Sequence, residues 1–225
     1  MAHCVTMTQH AVPVNRPTPS LRARRAQRTR AEVYEAAIPL FHKHGFDDTT
    51  MAQVADAAGV SRRTLYRHFA TKDDILFERP RRWLAVLDAV LDQRRPDEPL
   101  RDLVRRGLIA VAEAVADDAT MVLAGYAILA STPSLAGRHG RSDQQWVNRY
   151  LELLAPEVQA AGGHTHDVLV TAMALVAAQN AVIITWANDH PNTDAVTLMQ
   201  QTLDQLDPIW PAATQTAPTS PPTGL

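Results

Sequence analysis

The stretch Thr49–Lys72, TTMAQVADAAGVSRRTLYRHFATK, decides the reading of this chain. Thr50 stands where a helix can begin, and Gln53, three residues on, completes a capping box that satisfies two otherwise orphaned N–H groups. A short helix is expected over Met51–Ala58. Gly59 ends it, being tolerant of the positive φ that a tight turn demands. Ser61 then caps a second short helix, Arg62–His68. Two such helices form a helix-turn-helix when a small residue lets them touch and apolar residues line their inner faces. Ala55 is the small residue, and Val54, Ala58, Val60 and Leu65 are the anchors. Arg62, Arg63, Thr64, Tyr66, Arg67 and His68 are then left facing outward, as on a helix that enters a DNA groove.

Upstream, Val33, Ala37, Leu40 and Phe41 share one face of a helix expected from Arg28 to His44 and closed by Gly45. Pro39 inside it removes a hydrogen bond, at about 3 kcal/mol, and a local kink is expected there. The segment Arg16–Arg30 holds six arginines and no acid. It reads equally as an extended arm for a minor groove and as a basic tail adding salt-dependent affinity alone. Residues 1–20, with three prolines and no helical period, are expected to be disordered.

Downstream, Thr71 caps a longer helix running from Lys72 toward Arg95, bent by Pro80 within it. Further helices are expected near Leu100–Asp117, Thr120–Ala130, Ser134–Leu154, Thr165–Asn188 and Asn192–Leu206. Pro99, Pro133, Pro156 and Pro191 lie at or near their joints. Residues 211–225, PAATQTAPTSPPTGL, read as a disordered tail. With no alternating strand pattern and no fixed repeat, the fold class is all-α.

Composition agrees. The 225 residues are 46% hydrophobic and only 5% aromatic, a mix suited to closely packed helices. Net charge is −2, but residues 1–80 carry 12 Lys/Arg against 8 Asp/Glu, and residues 81–225 carry 10 against 16. A basic front and an acidic rear fit a chain whose front alone meets nucleic acid. One cysteine, Cys4, allows no disulfide within the chain, which with the lack of an apolar leader points to the cytoplasm. The longest apolar run, Val168–Ala187, carries Gln179 and Asn180 at its middle, so a buried helix is expected there and no membrane span.

The stretch Arg30–Glu78 closely resembles the N-terminal domain of the tetracycline-repressor (TetR) family. The resemblance rests on AA..LF at Ala36–Phe41, HGF at His44–Phe46, TT at Thr49–Thr50, AAGVS at Ala57–Ser61, TLYRHF at Thr64–Phe69, and Lys72. Pro39 departs from the pattern, in which a good helix former stands. The resemblance implies that Arg62, Arg63 and Thr64 read base edges, arginine suiting guanine O6 and N7 and the threonine methyl a thymine methyl. It implies that Thr50, Tyr66, His68 and Lys72 hold phosphates, with Arg67 on the same DNA-facing helix. It also implies a homodimer on a palindromic operator of double-stranded DNA, more often a repressor than an activator, answering to a small molecule.

On this reading residues 1–20 are an arm, 21–78 a three-helix DNA-binding domain, 79–210 a helical ligand-binding and dimerisation domain, and 211–225 a tail. The last two helices are the expected dimer surface: Thr165–Asn188 is apolar on most faces, and Val196, Met199 and Leu203 share a stripe on its successor. Trp83, Leu87, Met121, Tyr126, Trp146, Tyr150, Met173, Gln179 and Trp186 are the expected lining of a ligand cavity. The Ala/Leu/Val-rich helices lean toward a lipophilic, acyl-chain effector. An enzyme is the rival: His164, His166 and Asp167 hint at a metal site, and Ser131, Ser134 and His139 at a nucleophile pair. No phosphate loop, dinucleotide fingerprint or nucleophile elbow accompanies them, so no enzyme, cofactor or metal is expected. An architectural DNA-binding protein would have no need of so large a helical rear.

Overall fold

The structure, a computed structural model, describes residues 20–135 and 140–215. The expected disorder of residues 1–19 and 216–225, and His139, lie outside the described residues. No strand occurs among the described residues.

Helix α1 spans Leu21–His44, seven residues longer at its start than expected. Ser20 caps it, accepting the Ala23 N–H at 3.2 Å, and alanines and arginines are good helix formers. An extended arm is therefore not what residues 21–30 form. Pro39 lies inside α1 on its exposed side, while Val33, Tyr34, Ala37, Ile38 and Phe41 are buried. Helices α2 (Met51–Ala57) and α3 (Arg62–His68) carry the expected caps at Thr50 and Ser61. Gly59 takes φ +65° between them. Val54, Ala55, Leu65 and Phe69 close on the inner face of α1.

The long helix expected from Lys72 to Arg95 is two. Helix α4 (Lys72–Leu76) ends at Phe77, and α5 runs over Glu78–Leu91. In one continuous helix the Pro80 ring would strike the carbonyl of Leu76, four residues back. Breaking at Phe77 places Pro80 in the first turn of α5, where its missing N–H has no helical acceptor in any case.

The rear comprises α6 (Leu100–Asp117), α7 (Ala119–Ser131), α8 (Gly140–Ala160), α9 (Thr165–Asp189) and α10 (Ala195–Gln205). Helices α5 and α6 lie close because Gly107 makes room: a Cβ there would stand 2.5 Å from Leu87 Cδ1. Helix α8 starts later than expected and runs through Pro156 to Ala160, with Gly162 at φ +75° after it. The stripe on α10 faces α6 and α9, with Met199 and Leu203 buried in the rear core and Val196 partly buried against it. Helix α9 is long and apolar enough to cross a membrane by length and composition, with 44% of its apolar window buried; it packs against α7, α8 and α10. The start of the expected tail also packs: Trp210 and Thr214 are buried, and Ala212–Thr214 forms a 3-10 turn against α8. Finally, α7 docks on α1, placing its Ile128, and Leu135 of the 3-10 turn Pro133–Leu135 that follows it, in the core of the front helices.

Candidate nucleic-acid interface and ligand cavity

Helix α3 buries Leu65 and exposes Arg62, Arg63, Tyr66 and Arg67. Tyr66 is 56% exposed, a large ring with its face in solvent. Thr64 is half-buried, and its Oγ1 accepts from Ser61 Oγ at 2.9 Å. Thr50 is exposed, but its N–H and hydroxyl both donate to Gln53 Oε1, at 2.8 and 2.9 Å. His68 Nε2 lies 3.4 Å from Arg67 Nη2. Burial, then the charges of Arg67 and Arg30, lowers the His68 pKa, so the ring is neutral at neutral pH. Lys72 turns back: its ammonium donates to the carbonyls of Phe46 (2.6 Å) and Asp47 (2.8 Å) and sits 4.9 Å from the Phe46 ring centroid. One of its three protons remains for an external acceptor.

A structural arginine was hidden in the basic segment. Arg30 donates from Nε to Glu78 Oε1 at 2.8 Å, pairs through Nη2 with Glu78 Oε2, and donates from Nη1 to the His68 carbonyl at 2.5 Å. Its guanidinium lies 4.2 Å from the Phe69 ring centroid. One side chain thus ties α1 to the end of α3 and the first residue of α5. The signal was present: Arg30 precedes Val33, Tyr34 and Ala37 by three, four and seven residues, on the inner face.

A cavity of about 320 Å³ opens among α1, α5, α6, α7, α8 and α9, with the end of α4 and the start of α10 also on its wall. Of the nine expected lining residues, Trp83, Tyr126, Trp146, Gln179 and Trp186 are on its wall. Leu87 is not, because it packs on Gly107. Met121 faces the front core instead. Tyr150 lies behind the wall, its hydroxyl donating to Gln179 Oε1 at 2.6 Å. Met173 is 57% exposed on the outer face of α9. Sequence reasoning missed Tyr34, Arg79, Pro80, Asp143 and Asn180, which also line the cavity. Asn180 Nδ2 donates to Asp143 Oδ1 at 3.3 Å. Arg79 forms an ion pair with Asp118 and lies 4.9 Å from the Tyr34 ring centroid. Burial pushes the Tyr34 hydroxyl up to about 12, and it raises the Asp118 carboxyl against the pull of Arg79.

The residues of the rival readings lie apart. His164, His166 and Asp167 are exposed at the α8–α9 connection. Ser131 donates to the Ile128 carbonyl, and Ser134 to the Asp47 carboxylate. Helix α9 leaves a stripe of its own uncovered: Val170, Met173 and Ile184, with Leu169 beside it, are each more than 40% exposed.

The family profile described as "Bacterial regulatory proteins, tetR family" matches residues 33–78. That described as "MftR C-terminal domain" matches residues 98–211, just over half of the chain. The chain is 38% identical over 94 residues to MftR of Mycobacterium tuberculosis, whose name ties it to regulation of mycofactocin biosynthesis; the match covers 42% of this chain and 48% of that protein. It is 28% identical over 143 residues to the HTH-type transcriptional regulator TcmR of Streptomyces glaucescens, covering 61% and 63%. The matched part of the chain thus spans about half to two thirds of the length of these relatives. The crystal structure of the transcriptional regulator FadR from Bacillus subtilis, in complex with stearoyl-CoA, superposes with a TM-score of 0.59 at 17% identity. That superposition covers 78% of this chain and 96% of FadR, a likeness of fold.

Proposed function

The chain belongs to the tetR family of bacterial regulatory proteins, DNA-binding transcriptional regulators and not enzymes, and on that premise we propose that it is a homodimeric, cytoplasmic repressor released from a palindromic operator by a small lipophilic effector. The observation that carries this reading is an adjacency. Arg79 and Pro80 line the cavity, and Glu78, next in the chain, holds Arg30, which holds the end of α3. An effector that shifts the first turn of α5 therefore pulls on the helix that meets DNA. The division into an arm (1–20), a DNA-binding domain (21–78), an effector and dimer domain (79–210) and a tail belongs to this proposal, with the tail beginning after the packed residues 211–215.

In the proposed complex Arg62, Arg63 and Thr64 read bases, and Thr50, Tyr66, Arg67, His68 and Lys72 hold the backbone. His68 acts as an N–H donor. The stripe Val170, Met173 and Ile184 is the proposed centre of the dimer, which sets two α3 helices about 34–36 Å apart, one helical turn of DNA. The lipophilic character of the effector is supported by the mostly apolar wall of the cavity and by the stearoyl-CoA bound to FadR.

The test is a gel shift on the intergenic DNA beside the gene, with mass measurement of the free and bound protein. Two chains per operator, and monomers for Met173→Glu, are expected. A wild-type protein that stays monomeric at micromolar concentration and on DNA overturns the dimer reading.

A further inference from the structure

The polar end of the cavity specifies what the effector carries there. Arg79 lines the cavity, and its Nε–H is buried without a hydrogen-bond partner among the described residues. Asp118 pairs with the guanidinium at Nη1, and a guanidinium offers five donors in a fixed fork. Beside it stands the Tyr34 hydroxyl. Gly125 keeps the space next to that hydroxyl open, since a Cβ at 125 would come within 3.3 Å of it.

At the other polar spot Gln179 Oε1 takes the Tyr150 proton, and one oxygen of the Asp143 carboxylate takes a proton from Asn180. The cavity therefore offers donors at the Arg79–Tyr34 end, a partly engaged carboxylate at Asp143, and apolar walls elsewhere, with Trp83, Val122 and Trp146 among them.

We propose that the effector is an amphiphilic carboxylate, its apolar body lying along the tryptophans and its carboxylate bridging Arg79 Nε–H and the Tyr34 hydroxyl. This rests on the reading of the cavity as the effector site. Such bonds are charge-assisted and strengthened by low-dielectric walls. A neutral alcohol gains only part of them, and an amine placed at this end meets Arg79 as a like charge. Burial keeps the Tyr34 hydroxyl protonated, hence a donor, at any physiological pH. Asp118 is the internal competitor that the incoming carboxylate must share Arg79 with. Because Glu78 precedes Arg79, a ligand that draws on this guanidinium acts directly on the turn that holds Arg30.

The experiment is a titration of the full chain with decanoate, 1-decanol and decylamine. It is followed by tryptophan fluorescence, since Trp83, Trp146 and Trp186 line the cavity. Decanoate is expected to bind at least about tenfold more tightly than decanol, a charged hydrogen bond against a neutral one. Asp118→Asn is expected to widen that ratio by releasing Arg79. The double variant Arg79→Gln/Asp118→Asn keeps a polar side chain at each position and removes both charges, so the fold does not inherit an unpaired buried ion; in it the ratio is expected to fall to within about twofold. Equal affinities for decanoate and decanol in the wild type overturn the proposal and leave a lipophilic cavity standing. A decanoate preference that persists in the double variant also overturns it. A cavity that takes none of the three probes removes the effector reading and this proposal together.

Discussion

At the scale of the residue, charge alone does not say what an arginine does. Arg30 and Arg62 both belong to the basic front, yet Arg30 is held by a buried carboxylate and a carbonyl, while Arg62 is exposed on α3. Arg62→Ala or Arg63→Ala is accordingly expected to relax sequence preference and to cost about 1–3 kcal/mol on the cognate operator, measured by anisotropy on cognate and substituted sites. Lys72 is a mixed case. Two of its protons are held by the Phe46 and Asp47 carbonyls. Lys72→Ala is therefore expected to lower unfolding stability by about 1–2 kcal/mol and to weaken cognate and random DNA alike, reducing the salt slope by about one unit. A change in which operator is preferred would contradict the backbone role.

At the scale of the element, the decisive event is the break at Phe77. A single bent helix from Lys72 would have made Pro80 a hinge between DNA and effector. With the break in place, Pro80 sits in a first turn that suits it, and the link runs through Glu78 and Arg30 instead. Pro80→Ala is expected to change stability by less than about 1 kcal/mol and, with effector at saturation so that the lost wall contact does not count, to leave the ratio of operator affinities with and without effector unaltered. Loss of induction in Pro80→Ala would restore the hinge. Helices α9 and α10 differ in a comparable way. The amphipathic stripe of α10 is consumed by its own core, whereas α9, apolar nearly all round, has residues to spare on the outside.

At the scale of the whole molecule, ion pairs fasten the helices at their ends. Glu98, 3% exposed, accepts from Arg106 at 2.9 and 3.0 Å and from the Arg95 backbone at 3.2 Å. The bonds from Arg106 outweigh the burial penalty and hold its carboxyl at about 2. A pKa below the ordinary value of 4.5 means that the unfolded chain binds the proton more readily. The stabilisation from Glu98 is thus complete above pH 4.5 and is lost as pH falls from there toward 2. Melting temperatures of wild type and Glu98→Gln are expected to differ most near neutrality and to converge in acid. A gap that stays constant with pH would show that the carboxylate's charge is not what matters. The front and rear also share a core, since Ile128 and Leu135 pack with residues of α1 to α4, so the two parts are not beads on a linker.

What the sequence by itself determined is whatever depends on neighbours a few positions apart. The caps at Thr50, Ser61 and Thr71, the turn at Gly59 and the exposure of Arg62, Arg63, Tyr66 and Arg67 on α3 all follow from local hydrogen bonding and helical period, and each stands in the structure, while Thr64 and His68, expected outward too, are half-buried. Five of the nine expected lining residues reach the cavity for the same reason, being large side chains on helices that must face inward. Tertiary structure alone decided the rest. Helix α9 is apolar on most faces, so its period cannot say which side meets the cavity and which meets solvent; Gln179 and Met173 were separated only when α8 and α10 covered two of its sides. Likewise nothing near Arg79 in the chain announces Asp118 or Tyr34, because the partners of a charged group are chosen by which helices cross, and that is a property of the packed core.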